Sequence, residues 1–356
     1  MSKLTNRGNL KNKSDSNEVL IDKRAFKIFK YWQKQGFPYY RSDKQFRQEQ
    51  FDKFMKIDDK SNLDFNNRGF KFHNGGLSLA WSYHPHAFKV NCNNLMSPDD
   101  IFNSEEKFTL GIRKALKGIF FKKQSYEVLM TPSDKIKQDI RQILRRVTGG
   151  QMVSNFRPVT ASSLYKLFCE EGDTVWDMSC GWGGRLLASI KSNINYIGTD
   201  PQKETMKGLK EMSKTFGRKN RTYDLQIMGS EEYQPKKNSL DFCFTSPPYF
   251  DTEKYSNDKT QSYLKYSNIN NWKEKFLRKT IDNCYRGLKQ NKFLALNVAD
   301  VRNYETFEKD TIDIAESVGF KLVDTFDLIL SSQQSDSKSE PIFIFKKWNT
   351  HLQIKQ

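Results

Sequence analysis

Residues 174–191 constrain the fold more than any other stretch. Val175-Trp176-Asp177-Met178-Ser179-Cys180-Gly181-Trp182-Gly183-Gly184-Arg185 reads as a short strand, a glycine-rich turn and the start of a helix. Glycine permits positive φ and lets another group approach the backbone closely. From this point the chain alternates strand and helix. Strands are expected at Thr174–Met178, Asn195–Thr199, Asp224–Met228, Leu240–Thr245 and Phe293–Val298, with helices at 184–191, 204–216 and 271–288. A helix at 307–318 leads to a strand at 320–330. A polar turn, Ser331–Ser339, then leads to Pro341–Lys346, so the last two strands should form an antiparallel hairpin at the sheet edge. Such an alternation specifies an open α/β sheet.

The second constraint is Thr245-Ser246-Pro247-Pro248-Tyr249-Phe250. Two prolines cannot continue a central strand, so the chain must leave the sheet here. They remove two donors and leave carbonyls and the Ser246 hydroxyl as acceptors beside an aromatic ring. Acceptors next to a flat ring suit an amino group on another flat ring, such as a nucleobase. Asp200 closes the strand after the glycine turn, 23 positions beyond Asp177. In doubly wound sheets an acid at that spacing accepts hydrogen bonds from a ribose.

Other chemistries are excluded by what these motifs lack. The glycine turn is neither Gly-x-Gly-x-x-Gly nor a P-loop ending in Gly-Lys-Ser/Thr. His84, His86 and Cys92 have no accompanying cluster, and no metal site is expected. The five cysteines show no Cys-x-x-Cys spacing and read as reduced thiols of a cytoplasmic-type compartment. The first twenty residues lack an apolar core, and no apolar run reaches membrane-spanning length, so a soluble, unexported, cytoplasmic protein is expected.

The formal net charge is +17. Residues 1–150 hold 29 lysines and arginines against 16 acids, and the rest of the chain holds 30 against 26. Such a surplus predicts a polyanionic partner, most simply nucleic acid held by its phosphates. Residues 1–17 read as frayed and disordered, 22–35 as a basic helix, and 43–56 as a second helix with Phe46, Phe51 and Phe54 on one face. Short strands are expected near 77–83 and 87–91. A helix at 134–147 follows, carrying Lys135, Lys137, Arg141, Arg145 and Arg146. Thr148-Gly149-Gly150 marks a boundary, so the expected division is 1–150, 151–348 and a tail at 349–356.

The Asp-x-x-x-Gly-x-Gly turn resembles motif I of S-adenosylmethionine-dependent methyltransferases. Ser246-Pro247-Pro248-Tyr249 resembles motif IV of the subgroup that methylates exocyclic amino groups of DNA bases. The resemblance covers residues 151–348. It implies the seven-stranded Rossmann-like fold, a mostly parallel sheet with one antiparallel strand, preceded here by a basic and mainly helical region. It also implies bound S-adenosyl-L-methionine. By that similarity Asp177, Ser179, Gly181 and Gly183 line the methionine and ribose part of the cofactor, and Asp200 holds the ribose. Ser230 or Glu231 lies near the adenine, and Phe156 packs over the cofactor. Ser246, Pro247, Pro248 and Tyr249 form the catalytic pocket for a base flipped out of a duplex. Family members carry a bulky residue shortly after the motif I acid, where this chain has Ser179-Cys180, with Trp182 between the glycines.

The implied activity is transfer of a methyl group to cytosine N4 or adenine N6 in DNA, with the serine tilting the choice toward cytosine. Residues 1–150 would then supply duplex binding and target recognition, and the resemblance admits a restriction endonuclease as partner. RNA amino-methylation on the same fold and a non-catalytic nucleic-acid-binding subunit stand as alternatives. The loop 250–269, with Tyr255, Gln261, Tyr263 and Tyr266, reads as a substrate-side loop or as packing.

Overall fold

A computed structural model describes residues 5–348 apart from 65, 93, 121–122, 256 and 331–337, with backbone alone for residues 5–15 and 253. Residues 1–4, the tail 349–356 and most of the turn expected at 331–339 lie outside the described residues. The chain divides into two compact units: Met1–Tyr40 with Pro85–Val153, and Arg41–His84 with Ser154–Gln356. The sequence boundary at 150 therefore gives way to a division in which residues 41–84 group with the later part of the chain.

The first unit is helical. Helix Thr5–Gln35 extends through residues expected to be disordered, because no proline interrupts the polar run that leads into Ile21. Its buried face, Ala25, Ile28, Phe29 and Trp32, packs with Phe108, Ile112 and Ala115 of helix Glu105–Leu116 and with Ile140, Ile143 and Leu144 of helix Asp134–Arg146. Trp32 Nε1 donates to the Leu129 carbonyl at 2.9 Å. Gly111 lets two helices meet, since a Cβ there would lie 2.8 Å from Ile143 and Val147. Arg141, one of the cations of the helix at 134–147, is buried: it donates to the Pro38 carbonyl at 2.6 Å and lies 3.8 Å over the Tyr40 ring. The segments expected as strands at 77–83 and 87–91 are instead helical turns, Leu77–Trp81 in the second unit and Pro85–Lys89 in the first. Their alternating apolar residues are too few to set a pleat against the local hydrogen bonds of a turn.

The second unit is built on a sheet of nine strands among the described residues. Across the sheet they run Leu63–Asp64, Gly69–Phe70, Phe320–Ile329, Ser339–Lys347, Leu288–Asn297, Leu240–Thr245, Thr174–Asp177, Asn195–Thr199 and Tyr223–Gln226. Strand 174–177 pairs in parallel with 195–199 on one side and 240–245 on the other, and 240–245 pairs in parallel with 288–297. Strand 339–347 runs antiparallel to both its neighbours. Seven strands therefore form a doubly wound, Rossmann-like sheet with one antiparallel member. The expected count of seven is corrected to nine, and the terminal hairpin is not the edge. Gly69–Phe70 adds in parallel to Asp327–Leu328, and a Cβ on Gly69 would lie 2.8 Å from the Asp327 carbonyl. Two-residue strands carry no periodicity, which is why the sequence hides them.

Residues 41–84 pack against the helices of this sheet. Asp43 caps helix Lys44–Met55 by accepting from Phe46 N, Phe51 stacks on Phe216 at 4.2 Å, and Phe54 is buried. Lys191 Nζ donates to the Ile57 carbonyl and to Asp59 Oδ1, each at 2.6 Å. Phe51 and Phe54 thus serve the core, while Phe46 lies half-buried under Arg41. No helix among the described residues is long and apolar enough to cross a membrane.

Candidate active site

The glycine turn follows strand 174–177, and the proline run follows strand 240–245, at the carboxyl ends of two adjacent strands. The helix after strand 174–177 leads to 195–199 on one side, whereas 240–245 lies on the other, so the order reverses here. In open α/β sheets such a switch point is where ligands bind. Gly181 (φ 48°) and Gly183 (φ 81°) occupy the left-handed region, where a side chain is strained. A Cβ on Gly183 would also meet Met212 and Leu209 at 2.8 and 2.9 Å.

Asp177 is fully buried, and three side chains converge on it. Arg185 Nε donates to Oδ2 at 2.7 Å, the Tyr196 hydroxyl donates to Oδ2 at 2.6 Å, and the Thr245 hydroxyl donates to Oδ1 at 2.9 Å. Burial works against the charge on Arg185, but the adjoining Asp177 carboxylate outweighs it and raises the guanidinium pKa. Burial, then Asp177, pushes Tyr196 well above its ordinary value. Arg185 also reaches the Ser179 carbonyl, and Ser179 N donates to Thr245 Oγ1 at 3.1 Å. The acid read as a cofactor ligand is therefore the centre of a buried polar cluster beneath the turn. Arg185, Tyr196 and Thr245 were invisible as partners in the sequence, because their convergence depends on strand register.

Asp200 stands at the mouth of the same turn. Its Oδ2 accepts from Gly181 N at 3.2 Å and its Oδ1 from Gln202 N at 2.9 Å. Burial pushes its pKa up to about 6 despite those two hydrogen bonds. Glu231 is 7% exposed, and Ser230 2%. Glu231 Oε1 accepts from Lys265 Nζ at 2.7 Å and from the Tyr266 hydroxyl at 3.2 Å, while Oε2 is buried without a hydrogen-bond partner among the described residues. Ser230 Oγ and Thr280 Oγ1 share a hydrogen bond at 2.8 Å.

Segment 155–158 closes on the turn from the other side. Asn155 Nδ2 donates to the Trp182 carbonyl at 3.2 Å, and a Cβ on Gly184 would collide with the Phe156 carbonyl at 2.0 Å. Phe156 packs edge-on against Phe244 at 5.0 Å. Arg157 is pinned to the Ile329 and Leu330 carbonyls, so it anchors strand 320–329. Trp182, the departure from the family pattern, is buried against Trp81 at 5.9 Å and His84 at 5.7 Å. Residues 41–84 thus explain it: they supply the surface that the bulky residue covers.

In the proline run Pro247 is buried and Ser246, Pro248 and Tyr249 are half-buried. Ser246 Oγ donates to Asn297 Oδ1 at 2.9 Å. Tyr249 meets Phe307 edge to face at 5.2 Å. Phe250 has φ 51°, unusual for a bulky residue, and packs against Trp272 at 5.9 Å. Beyond it, Asp251 Oδ1 and Thr252 Oγ1 are buried without partners among the described residues. The loop returns through helix Ser262–Lys265, with Tyr255 6.0 Å from Trp182. Ser179, Gly181, Gly183, Asp200 and Ser246–Tyr249 are thereby gathered at the carboxyl edge of the sheet. Among the described residues no group of three or more His, Cys, Asp or Glu side chains could hold a metal.

No protein-family model and no curated protein matches the chain. Among solved structures it is similar to a SAM-dependent methyltransferase from Methanosarcina mazei, at 13% identity and TM-score 0.37, over 52% of this chain and 97% of that one. A SAM-dependent O-methyltransferase from Thermotoga maritima gives 13% identity and TM-score 0.39, over 55% and 68% of the two chains. A methyltransferase from Pyrococcus furiosus gives 16% identity and TM-score 0.38, over 54% and 83%. Likenesses at this level carry no argument about the chemistry here, which rests on the topology and the residues at the switch point.

Proposed function

We propose that this chain is a DNA amino-methyltransferase that transfers a methyl group from S-adenosylmethionine to the exocyclic amine of a flipped-out base, cytosine N4 ahead of adenine N6. The observation that carries the reading is the junction at Thr245: the residue before Ser246 is hydrogen-bonded to both Asp177 and Ser179. Glycine turn and proline run are thereby locked side by side at one switch point.

The residues present fit a nucleoside-bearing donor. A half-buried carboxylate at Asp200 suits a ribose diol, and the buried, unpartnered Glu231 Oε2 suits an amino or hydroxyl donor. Gly181, with positive φ and nothing but the Ser179 carbonyl within 4 Å of where a Cβ would lie, leaves the backbone open to close approach. Held by Asp200 and the Gly181–Gly183 turn, S-adenosylmethionine would supply an electrophilic methyl group to the amino nitrogen, with a thioether as leaving group and the amino proton released to solvent. Ser246 Oγ and the Pro247 carbonyl would accept from the amino hydrogens, favouring a pyramidal nitrogen whose lone pair can attack. That is electrostatic stabilisation with positioning, in a site closed by Tyr249 and Phe250. A base must leave the duplex to reach such a pocket.

Nucleic acid as the partner is supported by charge. The first unit holds 21 lysines and arginines against 10 acids. Lys23, Lys27, Lys30 and Lys34 are exposed at helical spacing on one face of helix Thr5–Gln35. The test is transfer of labelled methyl from S-adenosylmethionine by the pure protein to duplex DNA and to structured RNA side by side. Label on DNA that is strongly reduced with Ser246→Ala supports the reading; label confined to RNA, or none at all, overturns it.

A further inference from the structure

Asn297 ends strand Leu288–Asn297, is 3% exposed, and its Oδ1 accepts from the Ser246 hydroxyl of the proline run at 2.9 Å. Its Nδ2 donates to the Pro341 carbonyl at 3.0 Å. A carbonyl can only accept, so the amide nitrogen must face strand Ser339–Lys347. Oδ1 is consequently the atom turned toward Ser246. Two oxygens 2.9 Å apart need one proton between them, and an amide oxygen has none to give. The serine hydroxyl must supply it.

From this we infer that Asn297 is a positioning residue that fixes the Ser246 hydroxyl as an obligate acceptor. The inference rests on the amino-methyltransferase reading and deepens it. A free hydroxyl can rotate and present either its proton or its lone pairs. With its single proton committed to Asn297, Ser246 can offer a ligand only lone pairs. An exocyclic amine, whose own lone pair is delocalised into the ring, has only hydrogens to give. The pairing therefore selects an amine over a carbonyl at the same ring position, because a carbonyl would face an oxygen with no proton to share. The amino edge of cytosine or adenine fits; the carbonyl edge of thymine or guanine is rejected.

The test is a double-mutant cycle on the full chain, with methyl transfer to duplex DNA as the readout and Ser246→Ala, Asn297→Leu and their combination as variants. If Asn297 acts through Ser246, Asn297→Leu lowers kcat by about 10- to 100-fold in the parent, in the range of a lost transition-state hydrogen bond. On the residual activity of Ser246→Ala it then changes kcat by less than about 2-fold, since coupled residues are non-additive. KM for S-adenosylmethionine stays unchanged in both. Equal losses in the two backgrounds overturn the inference while leaving the activity intact. Should Asn297→Leu fail to fold, Asn297→Asp keeps an acceptor toward Ser246 and is expected to retain more kcat than Asn297→Ala; the reverse order overturns it. A parent chain that methylates no duplex overturns the underlying reading instead, so the two failures are distinguishable.

Discussion

The Thr245 hydroxyl donates to Asp177 Oδ1 at 2.9 Å and accepts from Ser179 N at 3.1 Å, so one side chain joins the ends of two strands. Asp177 therefore orients the turn from beneath, through Thr245, Arg185 and Tyr196, while Asp200 stands at its rim. Thr245→Val keeps the shape and removes both hydrogen bonds. It should cost about 1–3 kcal/mol of stability, the usual loss when a buried polar group is left unsatisfied. It should also weaken S-adenosylmethionine binding, because Ser179, at the start of the glycine turn, loses its support. Denaturant unfolding and calorimetric titration measure the two effects; an unchanged variant would remove Thr245 from the account.

Arg185 and Asp177 are both buried, with the guanidinium 2.7 Å from the carboxylate. Removing one partner of such a pair strands a charge and costs about 3–5 kcal/mol. Arg185→Met should show that loss in urea unfolding. Adding Asp177→Asn to it removes the stranded charge and should recover part of the stability. A double variant less stable than Arg185→Met alone would show that the pair is not coupled as described.

Asp200 gives a pH signature. Its folded pKa is pushed up to about 6 by burial, above the value of an unfolded aspartate. The sign follows from linkage: the fold holds this proton more tightly than the unfolded chain does, so the group's contribution to stability falls as pH rises from about 4 to 6 and is flat above. Cofactor affinity runs the other way. Ribose hydroxyls need the ionised acceptor, so the dissociation constant for S-adenosylmethionine should rise up to about tenfold per pH unit below about 6. Asp200→Asn should bind more weakly and lose that dependence. A parent affinity flat from pH 5 to 8 would contradict a ribose contact at Asp200.

The lysine face of helix Thr5–Gln35 is testable through salt. If Lys23, Lys27, Lys30 and Lys34 meet phosphates, each substitution by glutamine should lessen the slope of log affinity against log salt by about 0.9 for duplex DNA. Fluorescence anisotropy across a salt series reads it directly. An unchanged slope in the fourfold variant would place DNA elsewhere.

Much of this site was legible in sequence because it depends on local backbone chemistry. Glycines 181 and 183 and prolines 247 and 248 announce a turn and a strand end wherever they occur, and Asp200 follows from the period of one βαβ unit. What was hidden depends on register across the sheet. Tyr196 reaches Asp177 only because strand 195–199 pairs with 174–177, and Asn297 reaches Ser246 only because strand 288–297 pairs with 240–245. Residues 41–84 were misassigned for a related reason. Their phenylalanines and cations look like a basic helical arm until Arg47 is seen to lie 3.6 Å over Tyr83 and donate to the Ser82 carbonyl at 2.8 Å. Arg141 shows the same limit, since a charge on a helix says nothing of which neighbours bury it.

The most direct test of the central claim is mass spectrometry of nucleosides from the DNA of cells expressing the parent chain or its Ser246→Ala variant. The expected result is N4-methylcytosine, or N6-methyladenine if the pocket takes the larger ring, in the parent and strongly reduced in the variant. No methylated base in the parent, or equal amounts from both, would contradict it.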